Sequence, residues 1–161
     1  MPRIGITGHM NLTPATEKLV TAVLHDVLAP YADNNLVGVS CLARGADQLF
    51  ARVVLDVGGQ LEVVLPTSTY REQKVKPENL ATFDELLGQA VDAHTMPFTE
   101  ANREAYEAAN NTLLDTIERL VAVWDGQPSA DQGGTGATVE QARQLGKPVD
   151  VVWPAGAERN G

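Results

Sequence analysis

Gln132-Gly133-Gly134-Thr135-Gly136-Ala137-Thr138-Val139-Glu140 is the stretch whose reading decides the fold of this chain. The apolar run Leu120-Val121-Ala122-Val123-Trp124 precedes it, and the helical pattern Val139-Glu140-Gln141-Ala142-Arg143-Gln144-Leu145 continues from it. The order is therefore strand, loop, glycine turn, helix. Without a Cβ, successive glycines let several backbone N–H groups face one point. The first turn of a helix adds unpaired N–H groups and a partial positive charge. Together these form an anion seat whose usual occupant is a phosphate, with Thr135 and Thr138 as extra hydroxyl donors. The plainer alternative is a Gly-rich loop before an ordinary helix.

Working outward, the same alternation recurs. Ile4-Gly5-Ile6 is a first strand, ending in the polar turn Thr7-Gly8-His9-Met10-Asn11. Thr13 offers an N-cap and Pro14 suits the first helical position. Leu19, Val20, Val23, Leu24, Val27 and Leu28 then share a helical face, which Pro30 ends. Leu36 to Val39 is a second strand, running into Ser40-Cys41-Leu42-Ala43-Arg44-Gly45-Ala46-Asp47 and a helix closed by Gly58-Gly59. Leu61 to Leu65 is a third strand. A weak helical piece (Tyr70 to Lys76) and a stronger one after Pro77 follow, then a fourth strand at His94 to Phe98. Thr99 caps a helix over 101–119, and Val149 to Trp153 is a sixth strand. The fold class expected is α/β: a Rossmann-like three-layer α/β/α sandwich with a mostly parallel sheet of five to six strands. One domain over 1–154 accounts for the pattern, with 155–161 a loose C-terminal tail. In such sheets ligands sit beyond the C-terminal strand ends, where strand order reverses. The polar turns after strands one, two and five should converge there.

The chain has 161 residues, 43% hydrophobic and 20% charged, which fits one globular domain with a real core. Its formal net charge of -9 argues against a general nucleic-acid surface, which carries a basic stripe. Cys41 is the single cysteine, so neither an intrachain disulfide nor a thiolate metal cluster is available. The three histidines (His9, His25, His94) lack metal-ligand spacing, and no metal or cofactor is expected. No apolar run reaches the roughly 20 residues that span a membrane, nor does the start resemble a signal peptide. A cytoplasmic protein without membrane contact is the expectation. G-x-G-x-x-G in the first turn, G-x-x-x-x-G-K-[ST] and G-x-S-x-G are all missing, which sets aside dinucleotide oxidoreductases, P-loop ATPases and α/β-hydrolases.

Two turns carry a family resemblance. Gly133-Gly134-Thr135-Gly136-Ala137-Thr138-Val139-Glu140 resembles the G-G-x-G-T-x-x-E motif of the lonely-guy cytokinin-activating phosphoribohydrolases, with Ala137 for the family threonine and no preceding proline. Ser40-Cys41-Leu42-Ala43-Arg44-Gly45-Ala46-Asp47 is similar to the S-G-L-A-R-G-I-D turn of the DNA-processing protein A Rossmann domain. Both families belong to the SLOG superfamily of Rossmann-like nucleotide-ligand domains, whose small YpsA-type members show this order of motifs. The resemblance spans roughly Ile4 to Trp153. It implies that Gly133, Gly134, Gly136 and Thr138 hold a phosphate and that Glu140 faces the ribose or base. In the phosphoribohydrolases this glutamate works with an arginine on the preceding helix. That position falls near Asn110 here, which orients a ligand but carries no charge. Gly8-His9-Met10 stands where the DNA-processing relatives often have Gly-Ser-Arg, so a phosphate-binding cation is missing from the first turn.

The candidate ligand residues are Gly8, His9, Ser40, Arg44, Gly45, Asp47, Asn110, Gly133, Gly134, Thr135, Gly136 and Thr138, with Glu140 as the one catalytic candidate. Each has a structural alternative. Glu140 can simply stabilise a helix N-terminus. Arg44 can meet a phosphate or form a surface ion pair, and Asp47 can bind a ribose hydroxyl or cap the second helix. His9 is an acid or base beside the ligand, or an exposed loop residue. His94 shows no partner. Trp124 either stacks on a base or is buried in the core, and Tyr106 shares a helix face with Asn110.

The main expectation is a binding module for a phosphorylated nucleoside or nucleotide-like small molecule, in a sensor or carrier role. The alternatives are a nucleoside-monophosphate phosphoribohydrolase using Glu140 and a single-stranded DNA-binding module. The missing arginine disfavours hydrolysis, and the net charge makes nucleic acid an unlikely partner. A homo-oligomer is expected by analogy with the superfamily.

Overall fold

The computed structural model describes residues 2–128 and 134–160. Its elements run β1 (Arg3–Gly8), α1 (Pro14–Leu28), β2 (Val37–Ser40), α2 (Ala46–Asp56), β3 (Gln60–Leu65), α3 (Tyr70–Lys74), α4 (Leu80–Gln89), β4 (Asp92–Thr95), α5 (Arg103–Thr116), β5 (Arg119–Val123), α6 (Thr135–Gln144) and β6 (Val149–Val152). Six strands form one sheet in the order β4-β3-β2-β1-β5-β6. Every pairing is parallel, so the sheet is wholly rather than mostly parallel. The chain steps outward from β1 to β4, then returns to lay β5 on the other side of β1. The order therefore reverses between β1 and β5.

The strands alternate their side chains between two buried faces, as a sheet covered on both sides requires. Ile4 and Ile6 pack with Val20, Leu24, Phe50 and Val53 of α1 and α2. Val37 and Val39 pack on the opposite face with Leu113, Leu114 and Ala142 of α5 and α6. A third cluster joins Leu61 and Val63 of β3 to Phe83 and Leu86 of α4. Thr13 caps α1 through its side chain, which accepts from the Thr16 N–H at 3.1 Å. The buried row of that helix is Thr16, Val20, Leu24 and Leu28, narrower than the sequence face, and Leu19 is exposed.

Several boundaries differ from the sequence reading. The fourth strand is Asp92–Thr95 instead of His94 to Phe98, because β3 dictates its register from Glu62↔Asp92 to Leu65↔Thr95. All four of its residues are exposed, so no apolar pattern marks it. The Asp92 carboxylate lies 3.1 Å from His94 Nε2, two residues along the same strand, so His94 does have a partner. α5 is capped by Asn102, which accepts from the Ala105 N–H at 3.0 Å, and not by Thr99.

The last segment also has partners where a loose tail is expected. Arg159 bridges antiparallel to Leu12. The Asn160 N–H donates to Asn11 O at 2.6 Å, and the Glu158 N–H to Thr16 Oγ1 at 2.7 Å. Among the described residues, no helix is long and apolar enough to cross a membrane.

Candidate functional site

A crevice of about 1230 Å³ opens at the C-terminal strand ends. Its walls come from the turns after β1 and β2, from α3 and α5, from the end of β5 and the start of α6, and from Arg159. The turns after β1, β2 and β5 meet there. Of the candidate residues, Gly8, His9, Arg44, Asp47, Asn110, Gly134, Thr135 and Thr138 line the crevice, whereas Ser40, Gly45, Gly136 and Glu140 do not. Gln132 and Gly133 lie outside the described residues.

The β1 and β2 turns are locked together by close backbone approach. A Cβ on Gly8 would sit 2.4 Å from the Ala46 Cβ, and one on Gly45 would sit 2.6 Å from His9 O. Gly45 also has φ +86°, open to glycine at little cost. This contact lets the Ala46 N–H donate to His9 O at 3.1 Å. Gly45 is therefore a spacing residue behind the site.

Ser40 acts from behind as well. It is fully buried; its hydroxyl accepts from the Leu42 N–H at 3.1 Å and donates to Asp47 O at 3.0 Å. Leu42 has φ +56°, a left-handed conformation costing on the order of 1 kcal/mol in a non-glycine residue. Ser40 and the Gln48 amide, which donates to Leu42 O at 3.2 Å, hold it there. The bent turn presents Arg44 to the crevice, where it is exposed and has no partner among the described residues.

Asp47 does not cap α2; that position is Gly45, with no side-chain cap. Asp47 sits inside the first turn and accepts from the Ala43 N–H at 3.4 Å. Burial pushes its carboxyl up to about 7, with the Ala43 N–H opposing. Beside it on the wall are Cys41 and Tyr70, whose pKa values are both raised, chiefly by burial. Tyr70 meets Tyr106 edge-on at 6.3 Å, and Tyr106 and Asn110 line the crevice from one face of α5. Trp124 also lines it, half-buried, its indole N–H donating to Gln127 O at 2.9 Å.

His9 is 8% exposed, not a free loop residue. Its Nε2 accepts the Asp125 N–H at 3.1 Å, and its ring meets Trp153 edge-on at 5.6 Å. Burial, then Arg159, lowers its pKa against the opposing pull of Asp125. A neutral ring with Nε2 already accepting is a structural acceptor here, with Nδ1 its remaining donor.

α6 begins at Thr135, so Gly134 is its N-cap and Gly136 lies in its first turn. No side chain caps its N-cap, Gly134, among the described residues. Thr135, Thr138 and Gln141 line the crevice at helical spacing of three. Glu140 faces solvent and takes the Gln144 amide at 3.5 Å. The expected catalytic carboxylate is therefore turned off the crevice; among the described residues, Asp47 and Glu107 are the acids that line it. No group of three His, Cys, Asp or Glu side chains able to hold a metal occurs among the described residues.

Charge is segregated. Of the chain's 12 Lys and Arg, five line the crevice (Arg44, Lys74, Lys76, Arg103 and Arg159), against two acids among the described residues. A protein of net charge -9 thus has a cationic cleft. Lys74, Lys76, Arg103 and Arg159 were not among the sequence candidates. Lys74 ends a short helix and Lys76 follows it, with no motif in either, and Arg159 belongs to the segment expected to be loose.

Comparison with known proteins places these features on a familiar scaffold. No family model and no curated protein matches the chain. Among solved structures, it is similar to DNA processing protein A from Streptococcus pneumoniae at 19% identity and TM-score 0.69, covering 96% of this chain and 51% of that one. DNA processing protein A from Helicobacter pylori, studied for its single-stranded DNA binding mode, matches at 16% identity and TM-score 0.69, covering 98% and 68%. The molybdenum cofactor binding protein of Rippkaea orientalis matches at 18% identity and TM-score 0.60, covering 93% and 75%. The chain spans about half the length of the Streptococcus protein. What these matches show is the scaffold: this chain has the Rossmann-like α/β fold of those structures.

Proposed function

We propose that the protein binds a phosphorylated nucleoside or nucleotide-like small molecule in the crevice, its phosphate on the first turn of α6. The observation that carries this reading is the cationic cleft of an acidic chain, lying against a helix N-terminus that no side chain among the described residues caps. The volume suits a small ligand with several fragments. Trp124, Tyr70 and Tyr106 offer aromatic surface to a base, and Asn110 offers amide hydrogen bonds. The resemblance to a cofactor-binding protein is consistent with a carrier or sensor role. Hydrolysis through Glu140 lacks support, since that carboxylate is exposed and off the crevice.

Calorimetric titration with nucleoside 5'-monophosphates and the matching nucleosides tests the reading. Phosphorylated ligands should bind more tightly by tenfold or more, and Thr135→Asp, which puts a carboxylate at the seat, should abolish the difference. Equal binding of nucleoside and nucleotide, or of neither, refutes it.

A second reading, single-stranded nucleic acid, has one observation in its favour. The cations extend along the crevice from Lys74 and Lys76, after β3, through Arg44, after β2, to Arg159, which bridges the turns after β1 and β5, a span of two to three strand intervals or about 10–14 Å. Net charge alone disfavoured this reading, but local charge does not.

A further inference from the structure

The turn after β1, Gly8-His9-Met10-Asn11, contains no Lys or Arg. A cation nonetheless stands there, brought from the far end of the chain. Arg159 donates from Nε to Asn11 Oδ1 at 3.0 Å and from Nη1 to Asp125 Oδ2 at 3.2 Å. Asn11 follows β1 and Asp125 follows β5, so the guanidinium bridges the point where strand order reverses. That is where this class of sheet takes its ligands.

The placement is built from several contacts. The antiparallel bridge to Leu12, the Asn160 N–H to Asn11 O and the Glu158 N–H to Thr16 Oγ1 fix the backbone on both sides of Arg159. Asp125 is 18% exposed and is itself held, accepting the Gln127 N–H at 3.0 Å. Two of the three guanidinium nitrogens are used in orienting the group. Nη2 has no partner among the described residues, and Arg159 lines the crevice with its side chain 40% exposed.

We propose that Arg159 is a ligand-binding residue: the C-terminal segment is a strap that delivers a pre-oriented guanidinium to an anionic oxygen of the ligand at the β1/β5 junction. The proposal rests on the reading of the crevice as a site for phosphorylated ligands. A fork held by Asn11 and Asp125 loses little freedom on meeting a phosphate, which favours arginine over a free surface lysine. An arginine that only pinned the segment would affect stability and leave ligand affinity alone.

The test compares wild type, Arg159→Gln and Arg159→Lys by calorimetry with a nucleoside 5'-monophosphate and with inorganic phosphate, alongside thermal melts. Loss of one charge-assisted contact should weaken binding of the monophosphate by about tenfold to a hundredfold in R159Q. R159K should recover part of that loss, and affinity for the unphosphorylated nucleoside should not move. If R159Q binds the monophosphate within twofold of wild type, Arg159 is only a staple and the proposal fails while the crevice reading stands. If wild type binds neither probe, both fail together. Should R159Q not fold, Asp125→Asn keeps the guanidinium and removes its counter-charge. Tighter phosphate binding then supports the proposal, and unchanged or weaker binding overturns it.

Discussion

The backbone N–H of Asp125 donates to His9 Nε2 at 3.1 Å, joining the turn after β5 to the turn after β1. A protonated ring cannot accept that bond. Burial, then Arg159, lowers the His9 pKa, so the unfolded chain binds the extra proton first as pH falls. The stability His9 contributes is complete above its unfolded value of about 6.5 and is lost as pH drops below it. His9→Gln, which keeps an acceptor and removes the titration, should flatten that acid loss. Urea midpoints measured across pH 4.5 to 8 check this; an unchanged acid limb in H9Q would show that the ring does not titrate in this way.

Asp47 predicts the opposite slope. Its folded value is raised by burial to about 7, so the folded state holds the proton more firmly than the unfolded chain does. Stability from this group is present at low pH and declines as pH rises from about 4 to about 7. Asp47→Asn keeps an acceptor for the Ala43 N–H and removes the charge. Above pH 7 it should be more stable than wild type by about 1–3 kcal/mol, converging with it near pH 4. Because the His9 and Asp47 windows overlap, wild type alone can look insensitive to pH, and the two single variants separate the slopes.

The central scaffold was legible because each strand is a short apolar run and each helix carries a capped or periodic face. That pattern fixes alternation and parallel pairing. The turns that meet at β1, β2 and β5 follow from the same topology. The errors have local causes. β4 has four exposed residues and takes its register from β3. Helix geometry sets where Glu140 stands: at roughly 100° per residue, Thr138 and Glu140 point to opposite sides of α6, and Gln141 comes round to the crevice. Arg159 carried no signal because its neighbours have no periodicity; contacts far away in sequence, with Leu12, Asn11 and Asp125, position it.

That same rotation makes Glu140 a sharp control. Glu140→Ala should leave affinity for a nucleoside monophosphate within twofold of wild type, since the carboxylate is off the crevice and engages Gln144. Incubating wild type and variant with purine and pyrimidine monophosphates while measuring free base gives the complementary readout. Release of base by wild type that disappears in E140A would overturn the placement of this residue outside the chemistry.

α5 ends without a glycine and depends on another element to satisfy its last carbonyls. Lys147, between α6 and β6, donates from Nζ to Leu114 O and to Ile117 O, the latter at 2.8 Å. A cation at a helix C-terminus is favourable, and removing it leaves two part-buried carbonyls less well paired. Lys147→Met should cost about 1–2 kcal/mol, read from urea unfolding, and leave ligand affinity unchanged. It therefore supplies the stability-only reference against which variants of crevice residues are judged.

Lys74 and Lys76 separate the small-ligand reading from the nucleic-acid one. They stand on the β3 side of the crevice, about 14 Å in strand spacing from the α6 turn. A monophosphate seated on α6 should barely sense them, so the double change Lys74→Gln, Lys76→Gln should alter its affinity by less than about threefold, the residue of a long-range field screened over a Debye length of about 8 Å. An oligonucleotide tracking the crevice would place backbone phosphates beside both. Its salt dependence would then fall by up to about 0.7 per lysine in the slope of log affinity against log salt. Titrating the double variant with both probes from 50 to 200 mM salt distinguishes the cases. A large loss for the mononucleotide would mean that the phosphate sits on the β3 side and that the α6 seat is misassigned.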